Sequence, residues 1–180
     1  MVIDARQLNK VLVRTPFPYV PIMAQIKDIP RDHLCFQKVD IVKGYWTIPY
    51  DKRTVDSGLT TFQTAFGSFQ ALRAIMGVNG SSDSFTGYIA SILEPFRDNV
   101  KQIIDDILCH GRTPQECAEV YGKVLAALDE NNLKIQEHKS QCADLRKCAD
   151  TEKGKQSIIF GGIKLIRDEA GGLGSTMDPK

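Results

Sequence analysis

The chain has 180 residues, 42% of them hydrophobic and 25% charged, and its formal net charge is only +1. This composition is typical of one globular domain with an adequate core, and it argues against a disordered chain. No apolar stretch approaches the roughly 18 residues that span a bilayer, and charged residues interrupt the start where a signal peptide would be apolar. We therefore expect an intracellular protein, cytoplasmic or nuclear, without a membrane partner.

Charge is distributed unevenly along the chain. Residues 1–53 carry nine Lys and Arg against five Asp and Glu, residues 132–167 carry eight against four, and residues 54–131 carry five against ten. Basic segments flanking an acidic centre suit a polyanion held at the edges and a metal held in the middle, although solvated surface charge explains the pattern equally well. The five cysteines form no Cys-x-x-Cys pair, which argues against a zinc site or a disulfide framework.

The first elements in chain order are a strand and a hairpin. Residues 41–50 are rich in β-branched and aromatic side chains, which predicts that Asp40 lies at the end of a core strand. Residues 59–72 predict a β-hairpin that turns at Gly67-Ser68.

Two amphipathic helices follow. The first has Ser82 as its expected N-cap, and the second opens with a capping box at residues 113–116, with proline at the first helical position. Each presents one apolar stripe to a core, formed by Phe85, Tyr88, Ile89, Ile92, Leu93 and Phe96 in the first helix and by Cys117, Val120, Tyr121, Val124, Leu125 and Leu128 in the second.

Between these helices, two adjacent aspartates interrupt the apolar run at residues 103–108. At about 4 Å and an effective dielectric near 20, the repulsion between two carboxylates is about 4 kcal/mol, so a positive group should lie beside Asp105 and Asp106. A divalent cation meets that need, whereas a plain polar turn would also accommodate two aspartates. We predict a hairpin with the acids at its tip.

Further strands are expected around residues 133–135 and 158–166, which completes an α+β pattern of helices on one antiparallel sheet. We predict a single domain over residues 1–180. A carboxylate on a neighbouring strand would allow two metal ions to clamp the oxygens of a phosphoryl transfer, and Asp40 is the best candidate.

The segments around these acids resemble the motifs of reverse transcriptases, especially those of gypsy-like long-terminal-repeat retrotransposons. Residues 36–48 resemble the first catalytic motif, and Ile104-Asp105-Asp106 resembles the second. Residues 2–10 resemble the fingers segment, Phe160-Gly161-Gly162 the primer-grip turn, and Asp178-Pro179-Lys180 the Asp-Pro-x-Lys region that follows it. All five motifs occur in the family's order.

The resemblance implies a right-hand polymerase palm with partial fingers. The fingers would comprise approximately residues 1–13 and 49–79, and the palm approximately residues 14–48 and 80–180. The thumb, connection and RNase H segments would be absent, so we expect a piece of a larger polyprotein that also carries protease, RNase H and integrase.

The resemblance also assigns catalytic roles to the three acids. Asp40 and Asp105 would hold two Mg²⁺ ions, or Mn²⁺ in their place, and Asp106 would support the site or bind weakly. The implied reaction is attack of a primer 3′-hydroxyl on a deoxynucleoside triphosphate, directed by an RNA or DNA template.

Four further residues match substrate-binding positions of the family. Tyr45 would stack beneath the sugar and obstruct a 2′-hydroxyl, and Gly77 would let the backbone approach template and nucleotide. Arg6 would contact template phosphates, and Lys139 would lie near the nucleotide. Without the family match, a core aromatic, a turn glycine and solvated surface bases are the competing interpretations.

Several positions depart from the family pattern. Ile103 replaces a residue that is usually aromatic, Ile75, Gly80 and Ser82 replace Pro, Asn and Pro, and residues 142–157 and 164–177 look like surface insertions. These departures favour a second hypothesis, a catalytically impaired relic that binds nucleic acid or a partner. A viral RNA-directed RNA polymerase is a third; it predicts glycine in place of Ile104 and no counterpart of Tyr45.

Overall fold

The computed structural model describes residues 3–42, 44–148 and 157–177. The triplet Asp178-Pro179-Lys180, together with Val2 and Lys43 of the other matched segments, lies outside the described residues.

In chain order the described elements alternate between short helices and strands. The α-helices are α1 (Arg6–Val11), α2 (Ile22–Lys27), α3 (Lys52–Asp56), α4 (Ser81–Leu93) and α5 (Pro114–Glu130). The strands are β1 (Cys35–Asp40), β2 (Thr61–Thr64), β3 (Gly67–Gln70), β4 (Val100–Ile103), β5 (Asp106–Gly111), β6 (Gln141–Asp144), β7 (Ile158–Phe160), β8 (Ile163–Arg167) and β9 (Leu173–Met177). Short 3-10 helices occupy Gly44–Thr47, Glu94–Phe96, Glu137–Lys139 and Leu145–Cys148.

These elements form two compact units, one of residues 1–18 and 43–89 and the other of residues 19–42 and 90–180. The first unit has a small core around Ala5, Ile75 and Val78, and it contains the β2–β3 hairpin. That hairpin turns at residues 65–66 and not at Gly67-Ser68, because Gly67 already pairs with Thr64 as the first residue of β3.

The second unit is built on an antiparallel four-stranded sheet with the order β4-β5-β1-β6. Side chains alternate between the two faces of a strand. Phe36 and Leu108, fully buried, lie on one face and pack in a core with Phe160 and Leu165 of a second sheet, β7-β8-β9. Helix α5 packs against β1 and β5. The end of β1 at Asp40 is therefore held in place by a well-packed sheet.

The predicted α+β class is confirmed, but the strands of the described residues form three separate sheets and not one. Residues 133–135 contribute only an isolated bridge, in which Ile135 pairs with Ile41. In contrast, β6 and β9 fall largely within the segments 142–157 and 164–177 that we expected to be surface insertions, of which residues 149–156 lie outside the described residues. Strand β6 has a polar sequence and is extended through pairing with the distant β1, whereas the glycine-containing β9 forms a hairpin with β8 directly before it.

Both long helices form as predicted, with one correction. The Thr113 hydroxyl accepts a hydrogen bond from the Glu116 backbone N–H at 3.1 Å, which confirms the cap of α5. Helix α4 begins at Ser81, so Ser82 lies inside its first turn and is not the N-cap. Within the described residues, no helix combines the length and the apolar character needed to cross a membrane.

Candidate active site

A two-residue loop carries the first candidate acid. Ile103 pairs with Asp106, so β4 and β5 are joined by Ile104 and Asp105 alone. Ile104 has a positive φ of 56°, as the first loop residue of a type II′ turn requires. Glycine is the residue that takes this conformation without strain, and strain at such a position is worth about 1–3 kcal/mol. The loop that presents Asp105 is therefore a strained one.

This strain gives the first testable prediction. We expect Ile104→Gly to be more stable than Ile104→Ala by about 1 kcal/mol, because only glycine relieves the positive φ while both variants lose the same partly exposed side chain. Urea unfolding of the two variants measures the difference. Equal stabilities, or a more stable alanine variant, would contradict the assigned turn.

The second acid of the pair is engaged by a lysine. Asp40 and Asp106 are direct cross-strand partners, and Lys38 lies two residues before Asp40 on the same face of β1. The Lys38 Nζ atom is 2.8 Å from Asp106 Oδ2, and the two side chains are only 15% and 20% exposed. Alternation along β1 could have revealed Lys38, which the sequence analysis did not single out. The ion pair places Asp106 in a supporting role.

The negative charges of Asp105 and Asp40 are less well compensated than that of Asp106. The Asp105 carbonyl oxygen accepts a hydrogen bond from the Ile41 N–H at 3.3 Å, which ties the hairpin tip to the end of β1. Asp105 is exposed, but partial desolvation still raises the pKa of its carboxyl group. A hydrogen bond from the Asp105 backbone N–H lowers this pKa, and the negative charges of Asp106 and Asp40 raise it. Lys139 opposes the rise more weakly, and its Nζ lies 3.5 Å from Asp40 Oδ2.

The donor set fits a hard divalent cation. Asp40, Asp105 and Asp106 offer only carboxylate oxygens. Lysines pair with Asp106 and Asp40, and the pKa of Asp105 is raised mainly by desolvation, with smaller contributions from the charges of Asp106 and Asp40. In the described part of the chain, no three His, Cys, Asp or Glu side chains converge into a ready-made metal site. Mg²⁺ is commonly held by one or two carboxylates plus substrate phosphates, so two aspartates such as Asp40 and Asp105 would be enough protein ligands for it.

The glycine turn at the start of β8 lies next to this hairpin. Gly161 and Gly162 both have positive φ, 53° and 80°, between the paired residues Phe160 and Ile163. A side chain at Gly161 would overlap the Cδ1 atoms of Ile22 and Ile103. Close packing of this turn on Ile103 brings residues 160–162 against the strand end that precedes the acidic loop.

The remaining predicted site residues lie in the first unit. Tyr45 is half-buried in the short 3-10 helix that spans residues 44–47. Gly77 has a φ of 88°, which explains why glycine is needed there. Arg6 is exposed and forms an ion pair with Asp4 at 2.6 Å, which offsets the charge that we expected to meet template phosphates.

Sequence comparison decides the family. The family described as "Reverse transcriptase (RNA-dependent DNA polymerase)" matches residues 1–165 of the chain. The chain belongs to the reverse transcriptase family. The resemblance found from the motifs around Asp40 and Asp105 is thus confirmed. A retrotransposon protein is among the relatives: the "Retrovirus-related Pol polyprotein from transposon 412" of Drosophila melanogaster is 28% identical over 146 residues, or 79% of this chain.

Solved reverse transcriptases share the fold. A foamy viral protease-reverse transcriptase in complex with double-stranded DNA superposes with a TM-score of 0.75 at 23% identity, covering 92% of this chain and 27% of that one. The foamy viral enzyme in complex with an RNA/DNA hybrid gives a TM-score of 0.74 at 20% identity, covering 92% of this chain and 20% of that one. The reverse transcriptase chain described here spans 11% of the transposon 412 polyprotein.

Proposed function

We propose that this reverse transcriptase chain is the palm and partial fingers of an RNA-directed DNA polymerase encoded by a retroelement. It would add deoxynucleotides to a primer 3′-hydroxyl on an RNA or DNA template. The observation that carries the proposal is the placement of Asp105 on a strained two-residue loop beside Asp40, with incomplete charge compensation, in a chain of this family.

The roles of the acids follow from their surroundings. Asp40 and Asp105 would hold Mg²⁺ ions, or Mn²⁺, while Lys38 keeps Asp106 oriented and neutralised behind them. When bound, such ions supply Lewis acidity and a positive field for the developing charge of phosphoryl transfer. Lys139, paired with Asp40 through a mostly exposed side chain, would be free to turn toward a nucleotide phosphate.

Other residues would position the substrates. The turn at residues 160–162 would hold the primer end, since it packs directly on the strand that leads into the acidic loop. Tyr45 would exclude nucleotides that carry a 2′-hydroxyl, and the loop at Gly77 would let template or nucleotide approach the backbone. For Arg6, template contact would require release from Asp4.

We further propose that the chain is part of a larger polyprotein with protease, RNase H and integrase. The match to a short stretch of a transposon Pol polyprotein supports this assignment. The complexes of the foamy viral enzyme with an RNA/DNA hybrid and with double-stranded DNA support a primer–template as the partner.

A second candidate function is a non-catalytic relic that binds nucleic acid or a protein partner. The ion pairs Lys38–Asp106 and Lys139–Asp40 favour it, because they give two of the three acids a counter-charge without any metal. In this case the acidic cluster would be a structural remnant.

Primer extension distinguishes the two candidates. The chain, together with the flanking residues of its reading frame, is mixed with a DNA primer on an RNA template, deoxynucleotides and Mg²⁺. A polymerase gives extended primer that is lost when Ca²⁺ replaces Mg²⁺ or a chelator is added. Primer–template binding without extension in Mg²⁺ or Mn²⁺ would favour the relic and contradict the polymerase proposal.

A further inference from the structure

Two residues of α4 face the segment that carries Tyr45. Ser82 and Phe85 are three residues apart, so they share one face of the helix. The Tyr45 hydroxyl lies 3.0 Å from Ser82 Oγ, within hydrogen-bond distance. The rings of Tyr45 and Phe85 have centroids 5.1 Å apart and are tilted by 32°. Helix α4 thus contacts both the hydroxyl end and the ring of Tyr45.

The backbone before Tyr45 is also fixed. Phe85 is fully buried and lies so close to Gly44 that any side chain at residue 44 would overlap its ring. The Thr47 hydroxyl donates to the Gly44 carbonyl oxygen at 2.5 Å and closes the 3-10 turn. With its backbone and ring held by Gly44 and Phe85, Tyr45 has its hydroxyl end restrained by Ser82.

Because α4 begins at Ser81, Ser82 lies in the first turn and its side chain is directed to Tyr45 instead of capping the helix. A ring that obstructs a 2′-hydroxyl must be held to a fraction of an ångström, because a small displacement makes room for one oxygen atom.

We propose that Ser82 is a positioning residue that fixes the Tyr45 ring and thereby sets discrimination between deoxyribonucleotides and ribonucleotides. This inference rests on the proposed polymerase function and on the sugar-contacting role of Tyr45. Phe85 supports the ring from behind, and Ser82 determines how far its hydroxyl end can move.

The test compares incorporation of one deoxycytidine and one cytidine nucleotide opposite template guanine, using the chain with its flanking residues. We expect Ser82→Ala to raise the ribonucleotide share about fivefold, the size expected from losing one neutral hydrogen bond. Ser82→Thr, which keeps a hydroxyl, should restore discrimination. Ser84→Ala, an exposed serine of the same helix, is the matched control and should leave the ratio unchanged.

The possible results distinguish failure of the proposed polymerase function from failure of the positioning role of Ser82. Absence of any deoxynucleotide incorporation by the unaltered protein contradicts the proposed function. Normal incorporation with an unchanged ratio in Ser82→Ala overturns the positioning role, as does an unchanged ratio in Tyr45→Ala. A readout independent of catalysis is the ¹³Cζ chemical shift of labelled Tyr45, which responds to the hydrogen bond of its hydroxyl: it should change in Ser82→Ala and return in Ser82→Thr, and an unchanged shift also overturns the inference.

Discussion

Asp105→Asn should lower the rate of primer extension by about 10³-fold, equivalent to about 4 kcal/mol of transition-state stabilisation. Asp105 has the least compensated carboxylate of the three acids, so it has the most to contribute to a cation. Asp40→Asn should have an effect of similar size, because Asp40 lies at the adjoining strand end. Single-turnover extension at saturating nucleotide measures both.

Asp106→Asn should cost only about tenfold, since the Asp106 carboxylate is paired with Lys38 and acts through the orientation of its neighbours. The matched control is Asp98→Asn, a 93% exposed aspartate in the same unit, which should leave the rate unchanged. A loss in Asp106→Asn that exceeds the loss in Asp105→Asn would reverse the assigned roles. Unchanged extension by Asp105→Asn would refute them.

Stability measurements separate catalysis from folding in these variants. The raised pKa of Asp105 means that the fold disfavours its ionised form, so neutralising it should leave the free energy of unfolding unchanged or slightly higher. A variant that loses activity without losing stability is what a functional carboxylate predicts. Thermal unfolding of Asp105→Asn and of the unaltered chain provides this comparison.

Acid should destabilise the chain through a second feature, the buried pair of His33 and His110, of which His110 belongs to β5. His110 is fully buried, and its Nδ1 atom lies 2.8 Å from Nδ1 of His33. The pKa of His110 is lowered to about 3, mainly by burial and to a smaller extent by the nearby His33 and Lys101, while Asp28 opposes the change. The Nε2 atom of His110 has no hydrogen-bond partner among the described residues.

The sign of the pH dependence follows from this lowered pKa. An unfolded histidine titrates near 6.5, so below that pH the unfolded chain binds a proton that the folded chain refuses. The stability from neutral His110 is complete above pH 6.5 and is lost as the pH falls toward 3. We expect the free energy of unfolding to drop by roughly 2 kcal/mol between pH 7.5 and 5, at up to about 1.4 kcal/mol per pH unit.

Urea unfolding at several pH values tests this expectation. His110→Phe should flatten the dependence between pH 6.5 and 5, whatever its effect on stability at neutral pH. His138→Gln, at an exposed histidine, is the control and should keep the slope. NMR titration of His110 in the unaltered chain gives a second readout. Protonation of this residue above pH 5 would contradict the assignment.

The parts of the site that the sequence predicted are those defined by local pattern. An apolar run broken by two acids indicated the β4–β5 hairpin, and the capping box at Thr113 indicated the start of α5. Asp40 ends a strand, as predicted, but the strand lies before it, and the β-branched and aromatic residues that suggested a strand include the 3-10 helix Gly44–Thr47. In the hairpin and in α5 a few neighbouring residues carry enough information to specify the element.

The parts that escaped prediction depend on contacts between distant residues. Strand β6 forms because it pairs with β1 across about a hundred residues of sequence, and its own residues have no strand pattern. The bond from Ser82 to Tyr45 likewise joins residues that are 37 positions apart. The alternation of side chains along β1 could have placed Lys38 on the face of Asp40. Its ion pair with Asp106 could not be predicted without the register of β1 against β5.

The most direct test of this account is a Mn²⁺ titration of the ¹⁵N-labelled chain followed by NMR. Mn²⁺ binds the same carboxylate oxygens as Mg²⁺ and broadens the signals of nearby amides. We predict broadening centred on residues 104–106 and on Asp40, retained in Asp106→Asn and lost in the double variant Asp40→Asn with Asp105→Asn. Broadening centred elsewhere, or unchanged in the double variant, would contradict the claim that Asp40 and Asp105 form the metal site.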